Sequence, residues 1–119
     1  MTIEQHPTAA AYVESINHHD RAAFNCLFAE DATVDDVGRM FHGADAIKAW
    51  SDREIFDARV TLEVLDAVER DGLTALTTKV EGVFDRTGLP DPLILEHRLN
   101  IKDNKIATLT CRLAGVSPV

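Results

Sequence analysis

Residues 93–101 read Leu-Ile-Leu-Glu-His-Arg-Leu-Asn-Ile, and this stretch decides the fold. Leu93, Leu95, His97, Leu99 and Ile101 recur at every second position, the period of a strand with one buried face. That alternation places His97 inward with the leucines and Glu96 outward. Lys102-Asp103-Asn104-Lys105 then reads as a turn, and Ile106 to Leu113 as a further strand. Upstream, Arg59 to Glu69 alternates around Val60, Leu62 and Val64. Arg70-Asp71-Gly72 is a hairpin signal, because its glycine tolerates positive φ, and Leu73 to Phe84 returns as a long strand. Asp85 to Pro92, with Gly88, Pro90 and Pro92, is a loop. Four long strands in succession make a meander.

The period before the meander is helical. Ala9, Tyr12, Val13 and Ile16 share one stripe behind Pro7, which suits a first turn and predicts a helix from Pro7 to about Ile16. Asn17-His18-His19-Asp20 breaks that pattern. Asp20 can cap a short second helix with Phe24, Leu27 and Phe28 on one face, giving an αα-hairpin. Thr33-Val34-Asp35-Asp36 reads as a short strand, Gly38-Arg39 as a turn towards Met40 and Phe41, and Gly43 opens a third helix buried along Ala46, Ile47 and Trp50. Ala114 to Val119 is a short tail. Helices first and strands after is the α+β order, and only those helices can cover the buried face of the meander. The expected architecture is one domain over residues 1–119, three helices on a curved antiparallel sheet, forming a cone whose wide end leaves a pocket.

Composition narrows the roles. With 20 acidic against 12 basic residues the net charge is −8, a surface that repels phosphate backbones and anionic lipid heads. Nucleic-acid and membrane roles are therefore not expected. The opening MTIEQHPTAA lacks a basic segment followed by an apolar run, and the chain is read as cytoplasmic. Cys26 and Cys111 are read as free thiols rather than a disulfide or zinc framework. His18-His19-Asp20 is read as a solvated loop and cap, since adjacent rings in a turn rarely address one ion. His6 and His42 have no second ligand near them in sequence. Neither a metal nor a cofactor is expected.

From Ala11-Tyr12-Val13 through Asn17 and Asp20 to LFAEDATVDD (residues 27–36) and Gly43, the chain resembles the ketosteroid isomerase and nuclear transport factor 2-like superfamily, with its SnoaL-like polyketide cyclases. The resemblance covers nearly the whole chain and implies a cystatin-like cone. In the isomerases, a helix-one tyrosine and a protonated aspartic acid stabilise an enolate oxygen, while an aspartate ending the first strand moves the proton. By motif, the tyrosine falls on Tyr12 and the base on Asp36. Alternation gives His97 the third position, whereas a gapless alignment through the turn at Lys102 to Lys105 gives it to Glu96. A histidine there departs from the isomerase pattern. It makes an Asp–His pair of the kind that scytalone dehydratase-like relatives use for elimination, so isomerase, cyclase and dehydratase chemistry all stay open.

The residues themselves carry the same expectation. Val34 and Asp36 share a face, so a buried Val34 brings Asp36 inward, where burial among apolar groups would raise its pKa towards that of a proton shuttle. The Tyr12 hydroxyl, buried on the helical stripe, needs a partner, and a substrate oxygen, a backbone carbonyl or a water would each serve. His97 can change charge near neutral pH. Trp50, Phe28, Phe41, Met40, Phe84, Leu109 and Leu113 are expected to shape a pocket wall for a small apolar ligand. Non-catalytic ligand binding is the alternative reading. A homodimer through the outer sheet face, where Thr77, Lys79 and Glu81 stand opposite Thr78, Val80 and Gly82, is also expected.

Overall fold

Asn17 joins the first helix to the sheet: its side-chain amide donates to the Leu62 carbonyl at 2.9 Å, and its Oδ1 accepts from the Leu62 amide at 2.7 Å. The helix it ends, α1 (Pro7–Asn17), buries Ala9, Tyr12, Val13 and Ile16. The computed structural model describes residues 6–85 and 87–114. The tail expected over Ala114 to Val119 lies, from residue 115 on, outside the described residues.

Helix α2 (Arg21–Cys26) is capped by Asp20, whose Oδ1 accepts from the Ala23 amide at 3.0 Å. It is shorter than its apolar pattern predicts. Leu27 and Phe28 leave the helix because the Ile106 amide donates to the Leu27 carbonyl at 2.8 Å and Phe28 pairs with Ile106, so the strand β1 (Phe28–Asp36) begins there and not at Thr33. A tight turn at Val37 and Gly38, both at positive φ, leads into β2 (Arg39–His42). Helix α3 (Ala44–Ser51) buries Ile47 and Trp50 and widens into a π-helical turn, Asp52–Phe56, that the sequence did not signal.

The meander follows as β3 (Thr61–Arg70), β4 (Leu73–Glu81), β5 (Leu93–Lys102) and β6 (Lys105–Leu113). β4 stops short of Phe84 because the Val83 amide turns out to the Ala58 carbonyl at 2.6 Å. One six-stranded sheet runs β2-β1-β6-β5-β4-β3. Every pairing is antiparallel except β1 with β6, which is parallel, so the sheet is mixed where an antiparallel one was expected. Register breaks at Phe28/Thr33, Val64/Asp66 and Asn100/Ile101 let it bend.

The narrow end of the cone is filled around Phe24, whose ring lies 5.7 Å from Tyr12, 5.0 Å from Phe28 and 5.5 Å from Phe56 between centroids. Leu76, Leu99, Ile106 and Leu109 close it from the sheet side, all buried. The wide end is left to the cavity. No helix among the described residues is long and apolar enough to cross a membrane.

Candidate active site

A cavity of about 440 Å³ opens between α1, the π-helical turn and the concave face of the sheet. Tyr12, Asp36 and His97 all line it. Each arrives by the periodicity of its own element. Tyr12 lies on the buried stripe of α1. Asp36 shares the face of Val34 on β1, while Asp35 turns away to accept from the Gly38 amide at 2.8 Å. His97 stands between Leu95 and Leu99 on β5 and is buried, whereas Glu96 points out and accepts from Arg98 Nε at 2.7 Å.

The three occupy two depths. At the deep end Tyr12 Oη and His97 Nδ1 are 2.9 Å apart, and His97 Nε2 lies 2.9 Å from Thr78 Oγ1. Cys111 Sγ is 3.7 Å from the same Nδ1. Nearer the mouth, which exposed Val37 and Leu89 flank, Asp36 Oδ2 accepts from Trp50 Nε1 at 3.1 Å and from Arg39 Nη2. Both bonds fall on one oxygen, so Asp36 Oδ1 has no hydrogen bond among the described residues. Arg39 also holds Glu54 with both terminal nitrogens, at 3.0 and 3.2 Å.

Burial separates the roles of these groups. It pushes the Tyr12 phenol well above its ordinary range, helped by Cys111 and Asp36, so the hydroxyl stays protonated and donates. It lowers His97 to about 4, so the ring is neutral at neutral pH. The Cys111 thiol is driven up by burial and then by Asp36 and Asp35, which makes it a poor nucleophile. Glu54 and then Asp36 raise Arg39, keeping the guanidinium charged.

Several expectations change. His97 does not switch charge near neutrality, because burial desolvates it and its partners among the described residues are two hydroxyls and a thiol rather than Asp36. Asp36 is not held in an apolar pocket but by a guanidinium and an indole, with 18% of its side chain exposed. Of the expected wall residues, Trp50, Phe84 and Leu113 line the cavity. Phe28 and Leu109 pack into the solid core, Phe41 lies tilted against Trp50 with centroids 5.9 Å apart and outside the cavity lining, and Met40 faces out on the edge strand. Arg39, Glu54, Thr78 and Cys111 were missed. Only Arg39 had a signal in the sequence: a two-residue turn at Val37-Gly38 sets it directly opposite Asp36.

A family model described as a SnoaL-like domain matches residues 9–109. Among solved structures, a candidate polyketide cyclase of Sinorhizobium meliloti is similar at 27% identity and a TM-score of 0.81, covering 91% of this chain and 95% of that one. A candidate polyketide cyclase of Xanthomonas campestris pv. campestris follows at 26% identity and 0.74, over 87% and 85%. A Mycobacterium tuberculosis protein, solved with estradiol-17β-hemisuccinate, shares the fold at 15% identity and 0.73, over 91% and 92%. No curated protein matches the chain.

Proposed function

The chain belongs to the SnoaL-like domain family, and from that premise we propose that it binds a small apolar carbonyl or hydroxyl compound and converts it by cofactor-independent acid–base chemistry. Asp36 moves the proton and Tyr12 holds the oxygen. The observation that carries this reading is the division of the cavity, with a carboxylate oxygen open near the mouth and a phenol that burial keeps protonated at the deep end.

The step follows from that division. A ligand whose carbonyl reaches Tyr12 Oη presents its α-carbon towards Asp36. Asp36 Oδ1 takes the α-proton, the C–H pair moves into the C–C bond, and the carbonyl π pair goes to the oxygen. Tyr12 donates to the enolate oxygen so formed, and such a donor strengthens its bond as charge develops. Asp36 returning the proton to a different carbon isomerises the ligand; attack of the enolate carbon on a second carbonyl cyclises it, with the new alkoxide taking that proton; expulsion of a β-hydroxyl, which takes the proton and leaves as water, dehydrates it. The first half-reaction is common to all three, so these residues fit the whole group. His97 is neutral and bonded to Tyr12, which suits holding the phenol in place and not carrying the proton itself.

Turnover of a panel of enone, cyclisation and β-hydroxyketone substrates tests the scheme. In Asp36→Asn the rate falls by about 10²–10⁴-fold while ligand binding persists. In Tyr12→Phe it falls by about 10²–10³-fold. An Asp36→Asn protein as active as the parent removes the base from the scheme. A compound that stabilises the protein thermally and is never converted makes the cavity a binding site only.

A further inference from the structure

Thr78, His97 and Tyr12 form a run of hydrogen bonds that ends on the cavity wall, 2.9 Å from Thr78 Oγ1 to Nε2 and 2.9 Å from Nδ1 to Tyr12 Oη. All three are buried, and of the three only His97 and Tyr12 line the cavity. A neutral imidazole carries one N–H and one lone pair, so donation along the run has two alternative directions.

In the first, Tyr12 donates to Nδ1 and Nε2–H donates to Thr78. The Thr78 hydroxyl hydrogen then needs an acceptor of its own. Among the described residues Thr78 Oγ1 has no hydrogen-bond partner besides His97, so a donor would be stranded in the core. In the second, Thr78 donates to Nε2 and Nδ1–H donates to Tyr12. The hydrogen left over is now the phenolic one, and it stands on the wall of a cavity large enough to hold a ligand, with only the weakly accepting Cys111 sulfur as a partner among the described residues. Cys111 Sγ, 3.7 Å from Nδ1, adds a weak acceptor on the side where this arrangement puts the N–H.

We propose that Thr78 is a positioning residue that fixes His97 as the Nδ1–H tautomer and so turns the Tyr12 O–H into the cavity, making its deep end a receptor for a hydrogen-bond acceptor such as a carbonyl oxygen. The choice of ligand class rests on the reading of the cavity as the ligand site, but the tautomer does not.

The ring-nitrogen NMR resonances of His97, recorded near neutral pH without ligand, read the tautomer directly. The wild type shows a protonated Nδ1 and a bare Nε2. In the isosteric Thr78→Val the proton moves to Nε2 in at least half of the molecules, and Thr78→Ser returns it. Acetophenone, a neutral acceptor, binds about tenfold more weakly to Thr78→Val and recovers with serine. A wild-type ring protonated on Nε2 overturns the proposal, as does a valine variant with unchanged resonances. If the valine variant does not fold, the wild-type spectrum and the serine variant still decide. None of these readouts needs turnover. An Nδ1–H ring in a protein that converts nothing therefore sinks the reaction and leaves this inference standing.

Discussion

His97 is enclosed by Tyr12, Thr78 and Cys111, none of which carries charge at neutral pH, and a proton placed on the ring has no anion bonded to it. The consequence is a stability that depends on acid in one direction. The folded ring titrates at about 4 and the unfolded one near the ordinary 6.5, so between these values the unfolded chain binds more protons. Stability from this group is complete above about pH 6.5 and is lost as the pH falls towards about 4, a loss of roughly 3 kcal/mol. Urea midpoints of wild type and His97→Gln at about pH 7.5 and about pH 4.5 check it, because glutamine keeps a donor and an acceptor without the proton. The wild type loses more across that interval than the variant. Equal losses would assign the acid sensitivity to groups common to both, among them Glu54 and Asp52. The placement of His97 was readable because Leu95 and Leu99 fix its face, and that of Tyr12 because Ala9 and Ile16 fix its stripe. The lowered pKa was not, since it depends on which side chains surround the ring: Thr78 comes from a strand joined to β5 by a long loop that sets no register, and Cys111 from one whose hairpin register slips between Asn100 and Ile101.

Elements with local signals were read most fully. The Asp71-Gly72 and Asp103-Asn104 turns place both central residues at positive φ, as two-residue hairpins require, and the sequence announces both. The parallel pairing of β1 with β6 left no such mark, because its two strands lie at opposite ends of the chain. That pairing also drew Phe28 out of its expected helix. The segment after β4 shows how one small residue links an element to the cavity. A Cβ on Gly82 would meet the Ala58 carbonyl oxygen at 2.9 Å and the Phe84 ring at 2.9 Å, and that carbonyl is already fixed by the Val83 amide. Gly82→Ala must therefore displace either backbone or the ring that lines the cavity, an overpacking cost of about 1–3 kcal/mol. A double-mutant cycle with Phe84→Ala, read by urea midpoints, separates the two. The alanine costs less once the ring is gone, and the non-additive part measures the ring's share. Full additivity would put all of the strain at Ala58.

At the scale of the molecule, the order of helices before strands was enough for the α+β cone, and the excess of acidic residues bears on what can enter it. The described residues lining the cavity carry three carboxylates, Asp36, Glu54 and Asp85, against the single guanidinium of Arg39, within a chain of net charge −8. Arg39 does not offer a free cation to a ligand, because Asp36 and Glu54 already share it. An anionic ligand thus meets a negative potential at the mouth and finds no unpaired positive charge among the described lining residues to offset it, while a neutral ligand feels neither. Salt separates the cases, since the screening length shrinks from about 30 Å at 0.01 M to about 3 Å at 1 M ionic strength. A neutral cyclic enone should bind with an affinity that is flat across this range. Its carboxylated analogue should bind more weakly at low salt and gain as salt is added, approaching the neutral compound. Calorimetric titration of both at low and high sodium chloride makes the comparison. A carboxylated analogue that binds more tightly at low salt would mean that Arg39 exchanges Asp36 or Glu54 for the ligand, and would free Asp36 of its guanidinium at the moment the proton is to move.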